Sequence, residues 1–255
     1  MNPPFLKALP LSVVLLLTPM ILQANPADEL IAEGDASAAK FHAGEALKFF
    51  LPAEKLEPNN VRLQVRISRE YRHLMSDAKT PEEKFSLGNT AVGYAKRAVA
   101  LDPNDPEAQL AVAISYGKLE PLEGNRQKLD GSRIIKAAAD KAIKLDPSND
   151  LAWHVLGRWH VAFAEISAFE RALAQVAHLK LPDSTYDDAA RCFEKAIELN
   201  PNRLMHYIEL GRVYADIGRT NEARIFITKG LGMPDTEKDD PETKRQGKAL
   251  LAKLP

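Results

Sequence analysis

Apolar side chains recur along this chain at spacings of three and four, which places them on one stripe of a helix. Trp153, Leu156, Gly157 and His160 follow that spacing, and Tyr207, Leu210, Gly211 and Tyr214 superimpose on them residue for residue. A small residue between large neighbours lets a second helix approach closely. Partner segments carry a matching pattern, Ala189, Phe193 and Ala196 in one place and Ala46, Phe50 and Ala53 in another. An aromatic knob between alanines, facing an aromatic-Leu-Gly stripe, predicts a close-packed antiparallel pair of helices.

The pairs repeat. Ala53-Glu-Lys-Leu-Glu-Pro58, Ala98-Val-Ala-Leu-Asp-Pro103, Ala142-Ile-Lys-Leu-Asp-Pro147 and Ala196-Ile-Glu-Leu-Asn-Pro201 end alike, and Lys229-Gly-Leu-Gly-Met-Pro234 is a looser fifth ending. An aromatic-x-x-Leu-Gly-x-x-Tyr helix, an Ala-x-x-x-Phe-x-x-Ala helix and a closing Pro resemble the tetratricopeptide repeat, whose usual period is about 34 residues. The resemblance implies an all-α fold, a tetratricopeptide-like helical-hairpin solenoid of about five hairpins plus a C-terminal capping helix. Units are expected near 27–60, 61–105, 106–149, 150–203 and 204–237, within a repeat domain of 25–255, with the capping helix at 241–254. The three middle units are long, and their extra residues are assigned to insertions around Ser76–Pro81, Leu119–Gly131 and Phe163–Ser184. Thr80-Pro-Glu-Glu83 reads as a capping box with Pro at the first helical position, and Asp105-Pro106 and Asp240-Pro241 repeat that start signal.

Residues 1–24 differ from all of this. Lys7 is their one charged side chain, Ala8 to Leu22 is largely apolar, and Ala24 offers a small residue for cleavage. That order matches a secretory signal peptide and predicts a periplasmic or secreted chain. The alternative is a membrane-anchored chain that keeps an uncleaved N-terminal segment.

Charge and chemistry narrow the function classes. With 34 basic and 35 acidic residues in 255, the formal charge of −1 gives no bulk field for nucleic acid or an anionic membrane. Cys192 is the single cysteine, which excludes an internal disulfide and a cysteine-built zinc site. Phosphate-cradling, nucleophile-elbow and His-Glu-x-x-His patterns are missing from the sequence, so no cofactor, metal or catalytic residue is assigned. Cys192 beside Phe193 reads as a buried structural thiol, His160 as a packed histidine, and the Ser184-Thr185-Tyr-Asp-Asp188 run as a helix cap. A protein that holds a partner, without catalysis, is the expected class.

From Arg133 to Leu254 a particular order of pieces recurs: Ala142-Ile-Lys-Leu-Asp-Pro147, Trp153-His-x-Leu-Gly-Arg-Trp159, Phe163-Ala-Glu165, a helical insert with Glu170-Arg171, then Leu181-Pro-Asp-Ser-Thr-Tyr186. Phe193 through Pro201 and Leu210-Gly211-x-x-Tyr214 complete it. This order resembles the regulator of microtubule dynamics family. The resemblance implies non-catalytic association with other proteins, and microtubule association in eukaryotic relatives. The export signal argues against a cytoplasmic microtubule partner, so the fold and the binding class are carried over and that partner is not.

In stacked hairpins of this kind the first helices line the concave side. The residues after the small position of each first helix are Asp35, Arg69, Ile114, Arg158 and Arg212, three of them arginine. Arg62, Arg66, Arg69 and His73 share a helix face, and His154 stands four before Arg158. Together they predict a basic groove for a protein or peptide partner, an acidic segment or free C-terminal carboxylate clasped by Arg69, Arg158 and Arg212. Against this stands pairing of the same arginines with Glu70, Glu107, Glu165 and Glu209, which would leave them structural. The insert 163–181 has a stripe of Phe163, Ile166, Phe169, Leu173, Val176, Leu179 and Leu181 with Arg171, His178 and Lys180 between. It is expected to pack back on the array; contact with a lipid surface or a partner helix is the alternative.

Overall fold

A computed structural model describes residues 25–255, so the expected signal peptide at 1–24 lies outside the described residues. Those residues form twelve α-helices and no strand. They run α1 (Pro26–Ala38), α2 (Ala43–Leu56), α3 (Val61–Asp77), α4 (Pro81–Leu101), α5 (Pro106–Leu119), α6 (Asn125–Leu145), α7 (Asp150–Ala164), α8 (Ala168–Val176), α9 (Tyr186–Leu199), α10 (Leu204–Asp216), α11 (Thr220–Leu231) and α12 (Asp240–Leu251). α1 pairs with α2, α3 with α4, α5 with α6, α7 with α9 and α10 with α11, and α12 packs on the last pair. Five stacked hairpins and a closing helix are therefore the architecture that the repeated endings predict.

The glycine positions show why the hairpins close so tightly. A Cβ on Gly157 would lie 2.9 Å from the Phe193 ring, one on Gly34 2.3 Å from Phe50, and one on Gly211 2.5 Å from Ile227. Phe50, Phe193 and Ile227 are all fully buried, so each knob sits where a side chain on the facing helix would have stood.

Between hairpins, one hydrogen bond recurs. Gln64 Nε2, Gln109 Nε2, Trp153 Nε1 and the Tyr207 hydroxyl donate to the carbonyls of Pro58, Pro103, Pro147 and Pro201, at 3.2, 2.8, 3.0 and 3.0 Å. Each donor sits six residues after the proline whose carbonyl it satisfies, so the repeat ending and the next stripe are tied. Asn60, Asp105 and Asn149 cap α3, α5 and α7 by accepting backbone N–H groups. Thr80 likewise accepts from Glu83 N, but Glu83 returns its bond to Lys79 N and leaves the reciprocal box open.

Two expectations need correction. The extra residues of the second and third units mostly lengthen helices: α3 has 17 residues, α4 and α6 have 21 each, and only Ala78–Thr80 links α3 to α4. In the fourth unit the insert does not pack back as a whole. Phe163 is buried, with Ile166 and Leu181 against the core, yet Phe169, Leu173, Val176 and Leu179 are exposed. Trp159, Phe163 and Cys192 already fill the space the stripe would need. α8 is held instead by its own Ser167–Glu170 capping box, and the Arg171 guanidinium donates to the carbonyls of Phe163 and Pro182.

Candidate functional site

The first helices α3, α5, α7 and α10 adjoin in sequence and form the inner layer. Together with residues of the C-terminal segment they line a cavity of about 340 Å³. Its apolar wall includes Ile114, Ile135, Val155, Trp159 and Met205, and its array-borne cations are Arg69, Arg72, Lys118, Arg158 and Arg203. A second, more open space of about 710 Å³ adjoins it and shares Lys118, Arg158 and Asp239.

Arg72 is the unusual member. It stands four residues after Ser68, the small residue of the α3 stripe, so the helix carries it into the packed layer. It is 7% exposed. Its Nη1 donates to the hydroxyls of Ser68 and Ser115, both at 3.1 Å, and no carboxylate pairs with it among the described residues. Burial, and then the like charge of Arg69, draw its pKa down to about 10. A buried guanidinium held by two neutral hydroxyls leaves its remaining donors available to an anion in the cavity.

The residues expected on the groove divide. Arg69, His73, His154 and Arg158 line the cavity, while Arg62, Arg66 and Arg212 do not. Arg66 forks onto Asp35 at 2.7 and 3.0 Å and joins the first two hairpins. Arg62 is exposed on α3. Arg212 is held by Glu209 and, at 3.2 Å, by Glu165, so the expected three-arginine clasp loses that member. Arg69 donates to the buried Glu70 at 2.9 Å, and His73 meets the same carboxylate at 3.2 Å. Burial works against the Glu70 charge, but those two bonds hold its carboxyl below the ordinary range. Arg158 is exposed and has no ion-pair partner among the described residues. Of the three arginines of the expected clasp, Arg212 is engaged by two carboxylates, Arg69 by one, and Arg158 by none among the described residues.

His154 lines the cavity but is nearly sealed from solvent. It is 2% exposed, because α10 covers the side of α7 on which it lies. Its Nδ1 stands 2.9 Å from His206 Nδ1, and His206 Nε2 stands 2.8 Å from Asp150 Oδ2. A carboxylate accepts only, so His206 Nε2 carries a proton, His206 Nδ1 accepts and His154 Nδ1 donates. His154 Nε2 is then a bare, buried acceptor with no partner among the described residues. Burial holds both imidazoles below their ordinary pKa, His154 strongly so, and the Asp150 contact partly opposes this at His206. The relay contains no nucleophile; it joins hairpins four and five. Cys192 is buried, which pushes its thiol up to about 12. His160 is half-buried against Ser184 at 2.7 Å.

The C-terminal segment changes the groove most. Between α11 and α12 the chain returns across the inner face to the ends of α3 and α5. Lys238 pairs with Asp77 at 2.9 Å, Asp239 with Lys118, and Glu237 with Arg203 at 3.3 Å. Asp240, 1% exposed, accepts the N–H groups of Thr236 and Glu237 at 2.7 and 2.8 Å and fixes the turn. Arg72, Lys118, Arg203 and this segment lie outside the predicted set. Arg72 had a signal, its register with Ser68; the path of the segment had none.

Comparison with known proteins agrees with the repeat pattern. The profile described as Regulator of microtubule dynamics protein 1-3 matches residues 24–255. The Mus musculus regulator of microtubule dynamics protein 1 is 30% identical over 230 residues, 89% of this chain and 74% of that protein. The Homo sapiens regulator of microtubule dynamics protein 2 is 26% identical over 201 residues, 77% of this chain and 48% of that protein. Among solved structures, a thermophilic tetratricopeptide protein of Thermus thermophilus, TTC0263, has a TM-score of 0.65 at 17% identity, covering 89% of this chain and 99% of that one. MamA (41-end) from Desulfovibrio magneticus RS-1 has a TM-score of 0.51 at 13% identity, over 82% and 94% of the two chains. At those identities the likeness is one of fold.

Proposed function

This chain belongs to the regulator of microtubule dynamics family, and from that premise we propose that it is a non-catalytic scaffold whose inner face grips an acidic segment of a protein partner. One observation carries the reading: Arg72, buried and lining the cavity, has hydroxyls for company where a structural arginine would have a carboxylate. Leaving a buried charge uncompensated is costly, and such groups are retained where a ligand completes them. Arg158, exposed and unpaired, and Arg69, half engaged, stand on the same wall and supply forked donors for a second carboxylate. The apolar wall of Ile114, Val155 and Trp159 adds contact area for the segment's backbone and side-chain stems.

Titration of the chain from residue 25 onward with a hexaglutamate peptide tests this reading. Binding that weakens with salt, and that Arg69→Glu with Arg158→Glu abolishes, is the expected result. Unchanged binding in that double variant defeats it.

A second reading has its own observation. α8 exposes Phe169, Leu173 and Val176, and Leu179 follows it, also exposed, which suits a membrane-associated scaffold using the 163–181 insert. No helix among the described residues is long and apolar enough to cross a membrane. Flotation with anionic liposomes, compared between the native chain and Phe169→Ser, separates it from the first. Export to the periplasm or beyond is proposed from residues 1–24, and fractionation of the host checks it. The relatives' name attaches them to microtubule dynamics; for this chain that role is a proposal that co-sedimentation with microtubules tests.

A further inference from the structure

We propose that Asp235–Asp240 is a tethered competitor for the inner face, an acidic segment of the chain itself that an incoming acidic partner must displace. The inference rests on the acidic-segment reading above and adds its regulation. Four of the six residues, Asp235, Glu237, Asp239 and Asp240, are acidic, and none has a large apolar side chain. The middle of the segment is accordingly held by charge, through Glu237 on Arg203, Lys238 on Asp77 and Asp239 on Lys118. Arg203, which Asp150 also holds at 3.1 Å, and Lys118 line the same cavity as Arg72 and Arg158, so the segment engages cations on the wall a partner would use. The field of Asp239 also reaches Arg72.

Both ends are anchored on α12. Asp240 ties the turn to α12, and Lys244 bonds to the Met233 carbonyl and, at 2.6 Å, to Asp235. α12 itself is seated on the last hairpin, where Gly247 meets Ile208 and Leu231. Fixed ends around a charge-held, partly exposed middle describe a segment that opens locally while the array stays folded. The Glu237 and Asp239 side chains are each 44% exposed, so their pairs are individually weak and within reach of a competing carboxylate.

The test uses the whole chain from residue 25 and fluorescein-labelled hexaglutamate, read by anisotropy. Glu237→Gln with Asp239→Asn, which spares the buried Asp240, is expected to bind about tenfold tighter than the native chain, because the competent state is no longer taxed by the segment. Glu82→Gln with Asp187→Asn makes the same change in net charge at exposed sites on the second helices α4 and α9, outside the cavity, and is expected to bind like the native chain. Equal tightening in both double variants, or none in the first, overturns the competitor. Failure of every form to bind defeats the acidic-segment reading and the competitor with it. Glu237→Gln alone covers the case of a misfolded double variant: it frees Arg203 from the segment and should tighten binding by about threefold, and unchanged binding in a single variant that melts like the native chain overturns the inference.

Discussion

Arg72→Met separates stability from function. The native guanidinium is nearly sealed, and burial with the nearby Arg69 charge draws its pKa from 12.5 to about 10. That fall corresponds to about 3 kcal/mol against the charged form in the folded chain. Methionine removes the charge and keeps much of the side chain's length. Two hydrogen bonds from the charged guanidinium to hydroxyls are lost, at roughly 1.5 kcal/mol each or more. The hydroxyls do not become orphans, since Ser68 Oγ still donates to the Ala91 carbonyl at 2.8 Å and lies 3.2 Å from Ser115 Oγ. The two terms nearly cancel, so for a chain of this size the melting midpoint should move by less than about 3 °C. Affinity for hexaglutamate should fall about tenfold or more, the worth of hydrogen bonds to a charged group. Urea denaturation with an unchanged m-value, set beside peptide titration, measures both quantities. If Arg72→Met unfolds the chain more easily by about 2 kcal/mol, the guanidinium is a structural strut, and the buried-arginine case for anion binding fails.

Acid should loosen the joint between hairpins four and five first. His154 and His206 have depressed folded pKa values against an ordinary 6.5, so their stabilising contribution is complete above that pH and is lost as pH falls below it, by about 1.4 kcal/mol per pH unit for each; a denaturation midpoint flat from pH 7 to 5 would contradict the buried relay. Gly157→Ala forces a Cβ to within 2.9–3.1 Å of the buried Phe193 ring and should destabilise by about 1–3 kcal/mol despite alanine's helix preference, whereas Gly93→Ala meets open space and should stabilise by roughly 0.5–1 kcal/mol. Equal effects at the two sites in thermal melts would show that the close approach is not what Gly157 serves. Cys192, with its thiol raised to about 12, should react with a disulfide reagent only as fast as the chain opens, and prompt labelling in native buffer would count against its burial.

What could be read from the sequence was local and periodic. Gly34, Gly157 and Gly211 announce the hairpins because the small residue and its knob recur at fixed helical offsets, and the structure seats Phe50, Phe193 and Ile227 against them. Arg72 was harder, since its environment depends on Ser115, 43 residues away on α5. His154 shares a helix face with Arg158, and only the arrival of α10 decides that one is covered and the other left open. The stripe of α8 is a similar case: spacing shows which residues would face a core but not whether the core has room. With Trp159 and Phe163 already in place, Phe169 and Leu173 remained outside.

The path of Asp235–Asp240 was the least legible feature, and it alters the electrostatics of the groove more than any arginine does. Among the described residues lining the cavity, the array supplies Arg69, Arg72, Lys118, Arg158 and Arg203 against the single acid Glu120. The returning segment supplies Glu237, Asp239 and Asp240 against the single cation Lys238. A chain of formal charge −1 thus holds a basic wall whose counter-charge is divided: Glu70 and Asp150 engage Arg69 and Arg203 from the helices, and the rest sits on a piece of backbone anchored at both ends. Where counter-charge is built into the helices, as with Arg66 on Asp35, it fixes the stack of hairpins. Where it is carried by a segment with no large apolar side chain, it can be exchanged for another molecule's carboxylates at little net change in charge.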